Sequence, residues 1–217
     1  MKLDVPYFAD DTEDETHCVQ AVFKMVLKHF MPDKEFSWKE LDVMTGKQEG
    51  KGTWLMRGLV NLTKIGFDIV DIERFDYQRV YKEGEKYIWK ALPIPIADWY
   101  INKSNLLQEK EQIPPFLEKV EVQSRDAMFS DIEQLMDDGY LVAVEINSGL
   151  LNNEDTFAAH LVLLVGYDED NIYFHDPDPD YGADRKVSKE LFKKAWSELA
   201  SLGPNLTAFK FFENKGE

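Results

Sequence analysis

The chain has 217 residues, 44% of them hydrophobic and 13% aromatic, enough for one globular domain with a full core. Its 41 acidic residues against 25 basic ones leave a formal charge of −16, which opposes binding to nucleic acid or an anionic membrane and favours cationic ligands or peptides. The single cysteine excludes an intramolecular disulfide and a cysteine-based zinc cage, and the lack of a signal-type apolar run or of roughly 20 apolar residues in a row predicts a cytoplasmic protein without membrane insertion.

Apolar residues recur three and four apart at Cys18, Val22, Met25, Val26 and Phe30, with Lys24 and Lys28 on the other face. This predicts a helix with Cys18 at its N-terminal end. Ser37 and Glu40 have the spacing of a capping box and open a short helix ending near Gly46. Thr53 is placed to cap another, running over Trp54, Leu55, Leu59 and Leu62 to Gly66. Phe67, Ile69 and Ile72, with Asp68 and Asp71 interspersed, predict a strand.

From about 73 to 123 the chain turns rich in charge and aromatics and contains Pro93, Pro95, Pro114 and Pro115. The expectation is an insertion in a single domain spanning 1–217, helical over about 97–110, serving either as packing or as a lid or substrate-selecting wall. Ser130 and Glu133 form a second capping-box pattern, for a helix ending at Gly139. Short β-branched or aromatic runs at 140–146, 161–165 and 172–174 predict strands, the last two joined by a hairpin over 168–171. A helix over 189–196 after Ser188 and a closing strand over 207–212 complete an α+β fold, N-terminal helices against a C-terminal antiparallel sheet.

The chemistry-bearing residues are Cys18, His160 at the start of an apolar run, and Asp176 between His175 and Pro177. A thiol nucleophile needs a base to take its proton and a third group to orient that base. The 168–171 hairpin brings His160 and Asp176 to the same end of the sheet. A helix N-terminus carries unpaired N–H groups that favour a thiolate. The gap from Cys18 to His160 lies within the roughly 130–150 residues of papain-type enzymes. Taken singly, each residue also has a plain reading: a small buried hydrophobe, a strand-edge histidine and a turn former.

Residues 5–8 and 18–30, residues 139–145, residues 159–168 with His160, and His175, Asp176 and Pro177 ahead of the 188–196 segment together resemble papain-like cysteine peptidases of family thirty-nine, the bacteriocin-leader peptidase type. The resemblance implies a papain-like fold, Cys18 as nucleophile, His160 as general base and Asp176 as the residue orienting the imidazole. It also implies a peptide or protein substrate. Two positions depart from the family pattern. Val19 stands where glycine is usual, and no glutamine precedes the cysteine to donate to the oxyanion; Thr12, six positions back, and Asp10 stand in that region. Thr12 offers a hydroxyl, and the Cys18 N–H remains; one lost oxyanion donor costs about 2.7–4 kcal/mol in a measured case.

Asp10, Asp11, Glu13, Asp14 and Glu15 crowd the approach to Cys18. Such a cluster opposes a thiolate, or recognises a basic substrate residue, or forms a solvated loop. His17 beside the cysteine, and Gln20 beyond it, are expected to point elsewhere. The string from Asp176 to Gly182 fails the EF-hand pattern, and four scattered histidines make no zinc motif. No phosphate-binding glycine loop is present and no cofactor is expected. The expected function is thiol hydrolysis of peptide or isopeptide bonds; the alternatives are a weakened papain-fold peptide-binding module, or another acyl transfer on the same three residues.

Overall fold

A computed structural model describes residues 1–13, 16–154, 159–198 and 203–212. Seven strands form one sheet in the order β2-β1-β7-β3-β4-β5-β6. They are β1 (Phe67–Ile72), β2 (Glu121–Gln123), β3 (Leu141–Asn147), β4 (Ala159–Tyr167), β5 (Asn171–His175), β6 (Arg185–Ser188) and β7 (Leu206–Phe211). Only β2 and β1 run parallel among the described strands; the other neighbours are antiparallel. The expectation of an α+β architecture holds. The early strand β1 is part of the same sheet, next to β7.

Helix α1 (Cys18–Phe30) buries Val22, Phe23, Met25 and Val26 against the sheet face formed by Phe67, Ile69, Leu141, Leu163 and Phe209. Helices α2 (Trp38–Thr45) and α3 (Met56–Lys64) pack beside it. The Ser37–Glu40 capping box forms as expected, and Gly46 takes the left-handed cap at φ 70°. Thr53 does not cap α3, which starts three residues later at Met56; the Thr53 hydroxyl instead accepts from the buried Gln20 amide at 3.1 Å. Close contact between α1 and α3 requires Gly58, where a Cβ would lie 2.4 Å from Cε2 of Phe23.

Segment 73–123 is more helical than the sequence suggested: α4 (Tyr77–Glu83), α5 (Glu85–Ala91), α6 (Ile94–Asp98) and α7 (Ile113–Lys119), with one π-type turn over Trp99–Lys103. The prolines are compatible with this because they sit at helix starts, where the missing N–H has no intrahelical partner to lose. Asp76 caps α4 by accepting from the Arg79 N–H at 2.9 Å.

The opposite sheet face, with Val142, Val144, Val162 and Leu164, is covered by α8 (Phe129–Asp137), α9 (Ser148–Leu151) and α10 (Lys189–Ser197). With both faces buried, β3 and β4 read as continuous apolar runs. The expected box at Ser130 shifts by two residues: Asp131 accepts from the Met128 N–H at 2.7 Å and Ser130 lies inside α8. Ser188 caps α10 as expected. Strand β6 and the short α9 were not anticipated; β6 has only four residues, with Lys186 and Ser188 exposed, so its apolar signal is weak.

Candidate active site

Cys18 is the first residue of α1 and is partly exposed. Two links fix the chain just before it. The Asp10 carboxylate accepts from the His17 N–H at 2.6 Å, and the Asp10 N–H donates to the Pro177 carbonyl at 2.7 Å. The second link ties the loop leading to Cys18 to the residue after Asp176, so the two distant parts of the chain meet through backbone as well as side chains.

His160 lies within β4, one residue inside its start, paired with Ile146 of β3. Asp176 follows β5 directly, and the register Leu163 with His175 sets it at the same sheet end. The His160 Nε2 and Asp176 Oδ1 atoms are 2.7 Å apart. Cys18 lies close enough to the same imidazole to favour its protonated form, and with Nε2 on Asp176 the ring nitrogen left for sulfur is Nδ1. Cys18, His160 and Asp176 therefore converge.

The titration of His160 reflects these contacts. Burial acts against its protonation, but the bond to Asp176 and the contact with Cys18 outweigh it and raise the ring from 6.5 to about 10. Asp176 is fully buried, and burial alone would raise it. His160, Arg185 and the Asp178 N–H together hold it below the ordinary carboxylate range.

Arg185 is the part of this arrangement that the sequence did not single out. Its Nη1 donates to Asp176 Oδ2 at 2.6 Å and its Nη2 to Asn152 Oδ1 at 2.7 Å. The guanidinium lies 4.5 Å from the centre of the Tyr181 ring. A buried carboxylate needs such a counter-charge to stay ionised. Nothing around Arg185 in sequence advertises the role, since it depends on the β5–β6 pairing.

Thr12 and Asp10 face each other. The Thr12 hydroxyl donates to Asp10 Oδ1 at 2.5 Å, so its one proton is already committed. Asp10 lines the cavity at Cys18, and its carboxylate is an acceptor there. Among the described residues, nothing accepts from the Cys18 N–H. His17 points away as expected, toward Thr12 and Asp42, and so does Gln20, whose amide donates to Thr45 and Thr53. His175 is held by the Val5 carbonyl at 2.8 Å and the Asp184 N–H at 3.1 Å, a structural role. Asp14 and Glu15 lie outside the described residues.

Cys18 and His160 open onto a cavity of about 690 Å³, in the size range of ligand sites. Tyr77, Trp99, Tyr100 and Lys103 of segment 73–123 form one wall. Asp71, Glu73 and Glu145 line it also. Asp71, one of the two aspartates interspersed in the predicted strand, is only 3% exposed. Among the described residues no group of His, Cys, Asp and Glu is arranged to hold a metal ion, and no helix is long and apolar enough to cross a membrane.

The model of the Peptidase_C39 like family matches residues 96–204, a span that contains His160 and Asp176 but not Cys18. Among solved structures, the peptidase domain of Streptococcus ComA, a bi-functional ABC transporter involved in a quorum-sensing pathway, superposes with a TM-score of 0.51 at 14% identity, over 95% of this chain and 100% of that one. A double glycine motif protease from an AMS/PCAT transporter, in complex with the leader peptide, gives 0.49 at 14% identity, over 97% and 94%. No curated protein matches. The fold is that of papain-like peptidase domains.

Proposed function

For a chain that belongs to the Peptidase_C39 like family, we propose thiol hydrolysis of peptide or isopeptide bonds, with Cys18 as nucleophile, His160 as base and acid, and Asp176 as the group that orients the ring. The observation that carries this is the 2.7 Å bond between the His160 imidazole and Asp176, with Cys18 close enough to the other side of the ring to raise its affinity for a proton.

The imidazole takes the thiol proton as sulfur attacks the scissile carbonyl, and the carbonyl oxygen gathers the displaced electron pair. Collapse of that intermediate breaks the C–N bond, and the imidazolium gives its proton to the leaving amine. Water, deprotonated by the same ring, then attacks the thioester and releases Cys18 as thiol. The open N–H at the start of α1 is the donor placed for the oxyanion. Thr12, with its proton on Asp10, adds none in this arrangement, which favours a slow hydrolase over a fast one. We further propose that the chain is one domain, that segment 73–123 is an insertion serving as a wall of the substrate cavity, and that the substrate is a peptide with basic character, met in the cytoplasm.

Because the chain has one cysteine, alkylation reports on Cys18 alone. Iodoacetamide is expected to label it rapidly near neutral pH and much more slowly in His160→Ala. Slow labelling that the substitution leaves alone would leave a papain-fold binding module as the function.

A further inference from the structure

The sheet face under α1 is apolar at one end and acidic at the other. Asp71 of β1 pairs with Thr207 of β7, which pairs in turn with Ala143 of β3. Two residues further along each chain segment come Glu73, just past β1, Asn205, just before β7, and Glu145 of β3, which pairs with Leu161 of β4. Side chains link neighbours among them: the Asn205 amide donates to Glu145 at 3.1 Å, and Thr207 donates to Asp71 Oδ1 at 2.8 Å. Leu161 neighbours His160, so the acidic end adjoins the reacting residues. Four adjacent strands, β1-β7-β3-β4, at ~4.8 Å spacing make it roughly 14 Å wide.

Three further observations bear on what this end could hold. First, no lysine or arginine pairs with Asp71, Glu73 or Glu145 among the described residues. The one lysine of the cavity lining, Lys103, is exposed. Second, Asp71 Oδ2 is buried with no N–H or hydroxyl donor; against it lies a second acid, the carboxyl of Glu73, so the pair can satisfy itself only by sharing a proton, while Glu73 accepts from the Tyr77 hydroxyl. Buried polar atoms are nearly always satisfied, and isolated buried charge costs several kcal/mol. Burial pushes all three carboxyls above their ordinary range, as expected of acids lacking a counter-charge. Third, the acids share the cavity with aromatic rings. Trp54 stands 5.2 Å from Tyr100 and 6.3 Å from Tyr77, centre to centre, and all three line the cavity. Acids beside aromatic rings attract organic cations through charge and ring faces together.

We propose that this end of the cavity is a subsite for a lysine or arginine side chain of the substrate peptide, with Asp71, Glu73 and Glu145 providing the charge and Trp54, Tyr77 and Tyr100 the walls. The proposal rests on the hydrolase reading for the identity of the ligand as a peptide. The residues concerned lie apart from Cys18, His160 and Asp176, and from the acidic loop before Cys18, and they set specificity.

The test is binding to the full-length Cys18→Ala protein, where no turnover intervenes. Acetyl-Ala-Lys-Ala-amide and its norleucine counterpart, of nearly equal length but neutral, are titrated with tryptophan fluorescence and calorimetry as readouts. The lysine peptide is expected to bind on the order of tenfold more tightly. That ratio should fall to about one in Glu145→Gln and in Asp71→Asn, two isosteric changes that remove charge without opening space. A ratio of one or below in the parent, no binding of either peptide, or a lysine preference that both variants retain, overturns the proposal. Cys18 alkylation in the unsubstituted protein separates the two ideas. Slow alkylation with an intact lysine preference sinks the hydrolase and keeps the subsite as part of a peptide-binding groove; fast alkylation without preference does the reverse.

Discussion

Asp176→Asn tests the bond between His160 and Asp176, since asparagine keeps the shape and one acceptor oxygen but not the charge. His160 stands raised from 6.5 to about 10, and at 1.36 kcal/mol per pH unit this is on the order of 5 kcal/mol of preference for imidazolium. Burial opposes that preference, and Asp176 and Cys18 share in producing it. A charge-assisted hydrogen bond contributes about 1.5–3 kcal/mol, so losing it should bring the ring down by roughly one to two pH units. The sign for stability follows from both partners. His160 is raised, so its contribution is complete below about 6.5 and fades toward about 10. Asp176 is lowered, so its contribution is present above the ordinary carboxylate range and is lost in acid. The stability gap between parent and variant is therefore widest at about pH 5–6 and narrows by roughly 2 kcal/mol toward pH 10. Arg185 keeps its charge throughout, so its share of the loss is the same at both ends and subtracts out. Imidazole NMR across the four histidines, with urea unfolding at the two pH values, measures both quantities. A parent His160 titrating near 6.5, or one that asparagine leaves in place, refutes the reasoning.

Asp71→Asn should raise stability in the empty protein. Burial lifts Asp71 from 3.8 to about 6, so the folded chain binds more protons than the unfolded one between those values, and stability falls as pH rises through them. The substitution then recovers up to about 3 kcal/mol at pH 7.5 and almost nothing at pH 4 by urea unfolding; a less stable variant at pH 7.5 contradicts the account. Asp10→Ala removes the acceptor of the His17 and Thr12 groups, and should cost about 1–2 kcal/mol and slow Cys18 alkylation by freeing the start of α1. Gly58→Ala drives a methyl to within 2.4 Å of Phe23 and 3.3 Å of Thr45. The expected loss in thermal unfolding is about 1–3 kcal/mol, more than the gain in helix propensity.

What the sequence disclosed, and what it withheld, divides along the range of the interactions. Helix α1 was legible because its apolar spacing is local, and the α2 and α10 caps because Ser37 and Ser188 act three residues away. The 168–171 hairpin was enough to bring His160 near Asp176, because antiparallel pairing with a short turn leaves little freedom. The acidic end of the cavity was hidden. Asp68 and Asp71 look alike in a strand, yet Asp68 is exposed and Asp71 is buried. Three apart in one strand, they point to opposite faces, and Thr207, which covers Asp71, lies far along the chain. Arg185 was hidden for the same reason. In segment 73–123 helix was expected over about 97–110, whereas the α-helices lie at 77–83, 85–91, 94–98 and 113–119, the last two with proline at their starts.

The placement of charge around His160 ties these pieces together. Two acids lie near the ring, Asp176 in direct contact and Glu145 close enough to be lowered by the ring's charge, and their surroundings push them apart. Arg185 and the Asp178 N–H neutralise and solvate Asp176, keeping it ionised. Glu145 has an amide from Asn205 but no cation of its own, so burial keeps it raised. In the empty protein only Asp176 therefore serves as the fixed counter-charge that holds the imidazole in place. A cationic group entering between Glu145 and Asp71 would ionise the second set of acids without disturbing the first, because Arg185 already satisfies Asp176. Orientation of the ring and selection of the substrate are thus assigned to separate carboxylates. That separation predicts different responses to substitution: changes at Glu145 or Asp71 alter which peptide binds, and changes at Asp176 or Arg185 alter how readily Cys18 reacts with any of them.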